Sequence, residues 1–285
     1  MSLDPKAWFS EIHTADGSAF SLKIEQRVHA EQTEYQHIEI YRTEKFGHLM
    51  VIDGYVMLTS RDNFLYHEMM SHPVLFTHPD PKRVAIIGGG DCGTLREVLK
   101  HPGIESALQV EIDERVTRLA EQFFPELCAA NNDPRAHLLF DDGIRWMREA
   151  DSGSVDVIII DSTDPVGPAE GLFQAPFYQD CFRVLGEKGV LALQSESPLY
   201  HMRLIKEIHA TLRGVGFPEC RTLPFPQCVY PSGWWSGTIA SKGVAIDSFR
   251  ARDAASRPFA TLYYNAEIHR AALAQPQFMI DALGD

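Results

Sequence analysis

The sequence has few of the features that mark disulfide-rich, metal-binding or membrane proteins. Its 285 residues include five cysteines, an odd number without a C-x-x-C pair, so neither a zinc ribbon nor a thioredoxin-type motif is indicated. No apolar run approaches the roughly 18 residues of a membrane span, and the first residues lack the basic and apolar regions of a signal peptide. These absences predict a cytoplasmic protein with reduced cysteines and no membrane partner.

Positive charge is also scarce. The chain has 26 Lys and Arg residues against 39 Asp and Glu residues, which gives a formal net charge of −13. Such a surface repels a phosphate backbone, so nucleic-acid binding is not predicted. The charge suits a small cationic partner, although an acidic surface also serves solubility alone.

The first 80 residues differ in pattern from the rest of the chain. Up to residue 80, short runs alternate between polar and apolar side chains, as antiparallel strands do. These runs span Gln36–Tyr41, His48–Asp53 and Tyr55–Ser60. A helix is predicted from about Asp62 to Met70, with Pro73 ending or bending it. The stretch 78–81, with two prolines, is typical of a linker.

After residue 82, short apolar strands alternate with helices. Strands that lack polar alternation are typical of buried parallel sheets. The predicted strands are Val84–Ile87, Leu108–Ile112, His137–Phe140, Val157–Ile160, Val190–Gln194 and Trp235–Ala240. The predicted helices are Thr94–Lys100, Glu114–Phe124, Ile144–Glu149, Pro176–Leu185 and Met202–Leu212. The pattern predicts an α/β fold: a doubly wound sheet in residues 79–285, preceded by a small antiparallel β-domain with its following helix in residues 1–78.

Carboxylates follow each of the first four strands of this predicted sheet. In chain order they are Asp91, then Glu111 and Asp113, then Asp141 and Asp142, then Asp161 and Asp164. Ligands of doubly wound sheets bind at the carboxyl ends of the strands. We therefore expect these side chains to gather at one site, although aspartate is also a common helix cap.

The glycine loop after the first of these strands matches a dinucleotide fingerprint. Gly88, Gly90 and Gly93 have the required spacing, and Glu111 follows about twenty residues on. A pyrophosphate is a poor ligand here, because Asp91 lies in the loop and residues 88–95 contain no Lys or Arg. Glu111 can accept both hydroxyls of a ribose, so the loop predicts a cationic adenosyl ligand, a sulfonium nucleoside, instead of a nicotinamide cofactor.

Three other segments are open to more than one interpretation. His67 and His72 lie about 140° apart on a helix, so no metal site is predicted there. Asp161 and Asp164 share a turn without a nearby Lys or Arg, which indicates a cationic substrate or, for Asp164, simple turn chemistry. The aromatic turn around Tyr230 can form the wall of such a site or a packed turn.

The ordered set of motifs resembles the polyamine aminopropyltransferases, the spermidine synthase family. The resemblance spans residues of about 20 to 270, and its specificity lies in the order and spacing of motifs that are individually weak. The motifs are Tyr66-His67-Glu68-Met69, Gly88-Gly89-Gly90-Asp91, Val110-Glu111-Ile112-Asp113, Asp141-Asp142-Gly143, the segment 161–168, Tyr230-Pro231-Ser232-Gly233 and the segment 263–269.

This resemblance implies a Rossmann-like domain of the methyltransferase type and a homodimer or homotetramer. The implied reaction transfers the aminopropyl group of decarboxylated S-adenosylmethionine, a co-substrate, to a diamine, normally putrescine; spermidine and methylthioadenosine result, without cofactor or metal. The implied donor-binding residues are Gln36, Asp91, Glu111, Asp142, Gly143 and Pro168. The implied amine-binding residues are Tyr66, His67, Asp91, Asp161, Asp164 and Tyr230, with Asp161 as the catalytic proton acceptor.

Some positions depart from the family pattern and leave the acceptor open. Cys92 stands where many members have glycine, and Cys228 and Val229 precede Tyr230 where a Pro-Thr pair is usual. Putrescine, cadaverine, agmatine and spermidine are all candidate acceptors. The same motifs are also compatible with a small-molecule S-adenosylmethionine methyltransferase and with a non-catalytic polyamine sensor. The stretch Asp164–Gly171 is a candidate lid.

Overall fold

The N-terminal part of the chain forms a five-stranded antiparallel sheet. The computed structural model describes residues 3–163 and 167–284, without the side chains of residues 167 and 168. The strands pair in chain order and are β1 (Trp8–His13), β2 (Ser18–Gln32), β3 (His37–Thr43), β4 (His48–Ile52) and β5 (Tyr55–Thr59). Asp53 and Gly54 both have positive φ in the turn between β4 and β5, as a two-residue hairpin requires.

The alternating pattern predicted β3, β4 and β5, whereas β1 and β2 were not predicted from the sequence. Phe20, Leu22 and Ile24 of β2 alternate with polar residues, so a signal was present. Farther along β2, its pairing with β3 shifts register twice. These irregularities shift the side chains relative to the sheet faces, and they obscure the alternation that identifies a strand.

A seven-stranded sheet with helices follows. Its strands are β6 (Arg83–Gly88), β7 (Ser106–Glu111), β8 (Ala136–Phe140), β9 (Val155–Asp161), β10 (Leu185–Gln194), β11 (Glu219–Pro226) and β12 (Trp234–Ser241). The helices of the described part are α1 (Asn63–Thr77), α2 (Gly93–Leu99), α3 (Glu114–Phe123), α4 (Gly143–Glu149), α5 (Ala175–Val184), α6 (Met202–Val215), α7 (Ala251–Ala255), α8 (Ala266–Leu273) and α9 (Gln277–Leu283).

The strand order of this sheet is β11-β12-β10-β9-β6-β7-β8. Strands β6 to β10 are parallel, whereas β12 pairs antiparallel with both β10 and β11. The predicted Rossmann-like doubly wound sheet with an N-terminal antiparallel sheet is therefore confirmed. The sequence analysis missed β11 and the short helices α7 to α9.

Helix α1 continues past the end that the sequence predicted. Pro73 lies inside it, and the helix ends at Thr77. A proline there removes the backbone bond to Met69, but nearly every side chain of α1 is buried and the helix packs against α2 and strands of the large sheet. Burial of this kind outweighs the lost bond. The helix that was predicted to belong with the first 78 residues thus packs on the large sheet.

The strand order reverses between β6 and β9, where ligands of doubly wound folds bind. Gly88 at the end of β6 pairs in register with Asp161 at the end of β9. Gly88 has φ +84°, and a Cβ there would lie 2.2 Å from the Asp161 carbonyl oxygen. Glycine is therefore required, and it lets the loop turn directly over the Asp161 backbone.

The N-terminal sheet covers this edge of the large sheet. Ile38, Ile40 and Met50 of the N-terminal sheet form one buried cluster with Leu119 of α3 and the adjacent Phe124. This packing brings the open face of β3, β4 and β5 over the strand ends. Within the described residues, no helix has the length and apolar character needed to cross a bilayer.

Candidate active site

A cavity of about 270 Å³ lies between the N-terminal sheet and the reversal point of the large sheet. The large sheet contributes the glycine loop and residues at three strand ends. These include Gly88, Gly89, Gly90, Glu111, Asp142, Gly143 and Asp161. The N-terminal part contributes Gln36, Met50, Ile52, Tyr55, Met57 and Tyr66. The cavity thus brings together Gln36, Glu111, Asp142 and Gly143, which the sequence predicted as donor-binding residues.

A second cavity of about 40 Å³ adjoins the first. Tyr66 and Tyr230 line both cavities, and Glu11, Gln194 and Trp235 line the smaller one. Glu11 and Gln194 were missed by the sequence analysis. Gln194 ends β10, so the rule that ligands bind at strand ends could have found it, whereas Glu11 lies on the missed strand β1.

Asp161 lies at the wall of the larger cavity, and both of its carboxylate oxygens accept hydrogen bonds. Tyr66 donates from its hydroxyl to Oδ1 at 2.7 Å, and Thr94 donates to Oδ2 at 2.6 Å. Burial, reinforced by the nearby Asp91 carboxylate, raises the pKa of Asp161. The carboxylate is thus rigidly held and is a better proton acceptor than an ordinary aspartate.

Glu111 ends β7 and faces the same cavity. Its Oε1 accepts the backbone N–H of Asp113 at 2.9 Å, and burial raises the pKa of Glu111 to about 7. A Cβ at Gly90 would lie 2.8 Å from Glu111 Oε2, so glycine at this position makes room for the carboxylate. Glu111 therefore has an oxygen directed at the ligand space beside the loop.

Two aspartates at the strand ends also hold the surrounding backbone. Asp142 begins α4 and accepts the backbone N–H of Ile144 at 2.8 Å. Asp113 begins α3, and its Oδ1 accepts the backbone N–H of Arg115 at 3.0 Å. Its Oδ2 accepts a hydrogen bond from the Gln36 side chain at 3.0 Å. The helix-cap interpretation thus applies to both residues. The contact with Gln36 also fixes the N-terminal sheet over the nucleoside-sized space.

Asp91 and His67 contact each other beside the glycine loop. The His67 ring nitrogen Nε2 lies 3.2 Å from the Asp91 carboxylate, and the same carboxylate accepts the backbone N–H of Gly93 at 2.6 Å. Although burial opposes it, the Asp91 charge raises the pKa of His67. Neither residue belongs to the wall of the two cavities, so their predicted contacts with substrate stay predictions.

The remaining predicted positions lie around this centre. Tyr230 donates its hydroxyl to the Met57 carbonyl, which joins the aromatic turn to β5. Cys92 is fully buried with φ +67°, and its sulfur faces the Gly90 carbonyl and Gln109. Asp164 and the Pro168 side chain lie outside the described residues. In the part of the chain that the structure describes, no group of three or more His, Cys, Asp or Glu residues could hold a metal ion.

The charge balance of the site points to a cationic ligand. The lining carboxylates of the two cavities are Glu11, Asp53, Glu111, Asp142 and Asp161, whereas the described lining residues include no Lys or Arg. Ionised carboxylates in partly dry surroundings require a compensating positive charge. A nucleoside that carries a positive sulfur and a polyamine that carries ammonium groups would both supply it.

Comparisons with known proteins agree with this chemistry. The family model of the spermine/spermidine synthase domain matches residues 63–249, and that of the spermidine synthase tetramerisation domain matches residues 7–60. The polyamine aminopropyltransferase of Nitrosococcus oceani is 65% identical over 98% of both chains. That of Methylococcus capsulatus is 62% identical over the same share.

A solved structure is similar along nearly its whole length. A spermidine synthase crystallised with the transition state analogue AdoDATO superposes with a TM-score of 0.93 and 38% identity, covering 97% of this chain and 94% of that one. The tetramerisation match supports the predicted homo-oligomer. Motifs, fold and relatives together show that this chain belongs to the spermine/spermidine synthase family and is a polyamine aminopropyltransferase.

Proposed function

We propose that the enzyme transfers the aminopropyl group of decarboxylated S-adenosylmethionine to putrescine, giving spermidine and methylthioadenosine. The observation that carries this proposal is the position of the Asp161 carboxylate. It faces the larger cavity and is bonded to Tyr66, which lines both cavities. A donor in the larger cavity and an amine in the smaller one would meet at this carboxylate.

The larger cavity suits the nucleoside. Glu111 accepts the two ribose hydroxyls, and Asp142 accepts the adenine amine at the start of α4. Gln36 closes the space from the N-terminal sheet through its bond to Asp113. Asp91 takes the donor's ammonium group, for which its contact with His67 would have to open. The same negative charge would repel the carboxylate of ordinary S-adenosylmethionine.

The smaller cavity suits a diamine instead of a monoamine. Tyr66, whose hydroxyl is bonded to Asp161, and the buried Glu11 both line its wall. Glu11 is held by the backbone N–H of Val56 and by His13. Burial raises the pKa of Glu11, so an ammonium group beside it would restore a favourable charge balance. Two carboxylates at separate positions match the two amino groups of putrescine.

The reaction breaks one C–S bond and forms one C–N bond. The neutral amine attacks the methylene carbon next to the sulfonium, the bonding electrons pass to sulfur, and a neutral thioether leaves. No cofactor is required, since the positive sulfur is already a good leaving group. Catalysis then consists of alignment of the three reacting atoms and removal of one amine proton.

Asp161 receives that proton at a reduced cost. Full transfer from an alkyl ammonium, with a pKa of about 10.4, to an ordinary aspartate of about 3.9 costs about 9 kcal/mol. Burial raises the pKa of Asp161 and lowers the pKa of an enclosed ammonium, so both changes reduce the difference. The Tyr66 hydroxyl, bonded to Oδ1, orients the carboxylate toward the amine.

A product assay tests the proposal. The protein is mixed with decarboxylated S-adenosylmethionine and equimolar putrescine, cadaverine, agmatine and spermidine, and the products are followed by mass spectrometry. We expect methylthioadenosine to form and putrescine to gain one aminopropyl unit first. If another amine is consumed faster, that amine is the acceptor instead of putrescine, and the proposed aminopropyl transfer still holds. Methylation in a parallel tube with ordinary S-adenosylmethionine, without aminopropyl transfer, would contradict the proposal.

We extend the proposal to assembly and location. The N-terminal sheet matches a tetramerisation domain, so a homotetramer is proposed over a homodimer, and light scattering on the purified protein decides between them.

The described cysteines are free thiols, which supports a cytoplasmic location because disulfides are rare in reducing compartments.

A further inference from the structure

Thr94 contacts the carboxylate that the proposed reaction depends on. It is the second residue of α2, it is fully buried, and its hydroxyl donates to Asp161 Oδ2 at 2.6 Å. Tyr66 donates to the other oxygen from α1. The two hydroxyls hold the carboxylate from two different helices, which fixes the rotation of its plane.

The position of Thr94 follows from the glycine loop. Gly88 and Gly89 have positive φ, and the Gly89 backbone N–H donates to the Asp161 carbonyl at 2.7 Å. Cys92, which immediately precedes α2, also has a left-handed backbone conformation. Because of these turns, the first residues of α2 lie next to Asp161. Thr94 lies behind the carboxylate, outside the wall of both cavities.

We propose that Thr94 is a positioning residue for the aminopropyl transfer: its hydroxyl fixes the Asp161 carboxylate so that an oxygen lone pair faces the attacking amine. The inference rests on the proposed role of Asp161 as proton acceptor. Tyr66 lines the cavities and can contact substrate, whereas Thr94 acts through Asp161 alone. A short hydrogen bond from a neutral donor to a carboxylate is among the stronger protein hydrogen bonds.

The charged surroundings make the Thr94 bond important for the ionisation of Asp161. Burial and the Asp91 carboxylate raise the pKa of Asp161, while His67 and the hydroxyls of Thr94 and Tyr66 lower it. Glu111 faces Asp161 from β7 and adds a second negative charge. Loss of the Thr94 hydroxyl would shift this balance toward the protonated acid, which cannot accept the amine proton.

The test compares Thr94→Val with Thr94→Ser. Valine keeps the branched shape and removes the donor, so kcat should fall about tenfold to one hundredfold. The acid limb of the kcat/KM profile should move to higher pH, while the KM for the donor changes less than about twofold. Serine restores the donor and should recover the wild-type profile, with kcat within about threefold.

A matched control separates positioning from packing. Thr77 is also a buried threonine on a helix, but its hydroxyl donates locally to the Pro73 carbonyl at 2.8 Å. Thr77→Val should leave the pH profile unchanged. Methylthioadenosine binding by calorimetry verifies that each variant is folded. A Thr94→Val enzyme with wild-type kcat, or with lower kcat but an unmoved acid limb, would overturn the inference.

A double mutant connects the effect to Asp161. If Thr94 acts through Asp161, adding Thr94→Val to Asp161→Asn should reduce kcat by less than about twofold further, because the carboxylate is already absent. A full additional loss would assign Thr94 a different role. Wild-type activity of Asp161→Asn itself would instead refute the proposed proton acceptor, so the two failures are distinguishable.

Discussion

Two groups of buried carboxylates in this molecule differ in how their charge is balanced. Glu97 on α2 is fully buried beside α1. Its carboxylate lies 3.1 Å from His72 Nε2, 2.6 Å from the Lys100 ammonium and 2.9 Å from Arg96. Burial opposes ionisation, but the His72 hydrogen bond and the Lys100 charge outweigh it and lower the pKa of Glu97 to about 2.

Glu68 is balanced by backbone groups instead of cations. It is buried in α1 and accepts the backbone N–H groups of Leu262, Tyr263 and Tyr264 at 2.7–2.8 Å. The C-terminal segment is thereby attached to helix α1. Both glutamates thus find their partners within the chain.

The carboxylates of the cavity also accept hydrogen bonds within the chain, Glu111 from a backbone N–H and Asp161 from two hydroxyls, but these bonds do not outweigh burial. Glu111 and Asp161 have raised pKa values because burial dominates. The difference teaches that partners inside the chain can keep a buried carboxylate ionised, whereas a carboxylate left with a raised pKa at a cavity is a candidate for contact with a ligand. The following variants test this distinction.

The largest expected effect concerns Asp161. Asp161→Asn keeps the shape and one acceptor oxygen, but its NH2 group accepts neither a proton nor a hydroxyl hydrogen bond, so kcat should fall about 1,000-fold, with methylthioadenosine affinity within about twofold of wild type. Asp156→Asn is the matched control, since Asp156 lies on the same strand, away from the cavity, and pairs with Arg83 at 2.9 Å. Steady-state kinetics check both, and comparable losses in the two variants would remove the distinction.

Glu97→Gln should affect stability and spare the reaction. Removal of the charge leaves Lys100 and Arg96 without their carboxylate, so the free energy of unfolding should fall by about 3 kcal/mol. Urea denaturation measures this, and kcat of the folded enzyme should stay within about twofold of wild type. The exposed Glu105 serves as control, because its replacement by Gln should change stability by less than about 0.5 kcal/mol. A loss of kcat without a loss of stability would mean that Glu97 contributes to the reaction, as the cavity carboxylates are proposed to do.

The sequence predicted the placement of the cavity carboxylates better than that of the structural ones. Glu111, Asp142 and Asp161 follow parallel strands, and the topology alone brings strand ends together. Their placement therefore depends on a pattern that a single sequence shows. Asp91 also follows a strand, but its side chain contacts His67, which no local pattern indicates.

The network around Glu97 illustrates what a sequence does not show. His72 and His101 contact each other at 3.0 Å although they are separated by 29 residues, His72 within α1 and His101 just after α2. The spacing of His67 and His72 along the chain gave no sign of the Glu97 contact. Such partners follow from helix packing, whose rotation and offset are set by many side chains at once.

The ligand-free enzyme should become more stable when Glu111 loses its charge. The pKa of Glu111 is about 7 in the folded protein and 4.5 as its ordinary value. Its contribution to stability is therefore fully present below pH 4.5 and is lost as the pH rises through 7. Glu111→Gln should be more stable than wild type by about 3 kcal/mol at pH 8, with little difference at pH 4.5. Thermal unfolding at both pH values checks this, and a destabilised variant at pH 8 would class Glu111 with Glu97.

The smallest effect is the pH dependence of nucleoside binding. If the ribose hydroxyls bind the ionised form, the ligand must displace a proton from Glu111 below its pKa of about 7. Methylthioadenosine affinity should then be about tenfold lower at pH 6 than at pH 8. In Glu111→Gln the affinity should be weaker and nearly constant across this range, which separates Glu111 from His67 and other titrating groups. Equal wild-type affinities at the two pH values would mean that the site binds the neutral acid, and Glu111 would then donate a hydrogen bond to the nucleoside instead of accepting from both ribose hydroxyls.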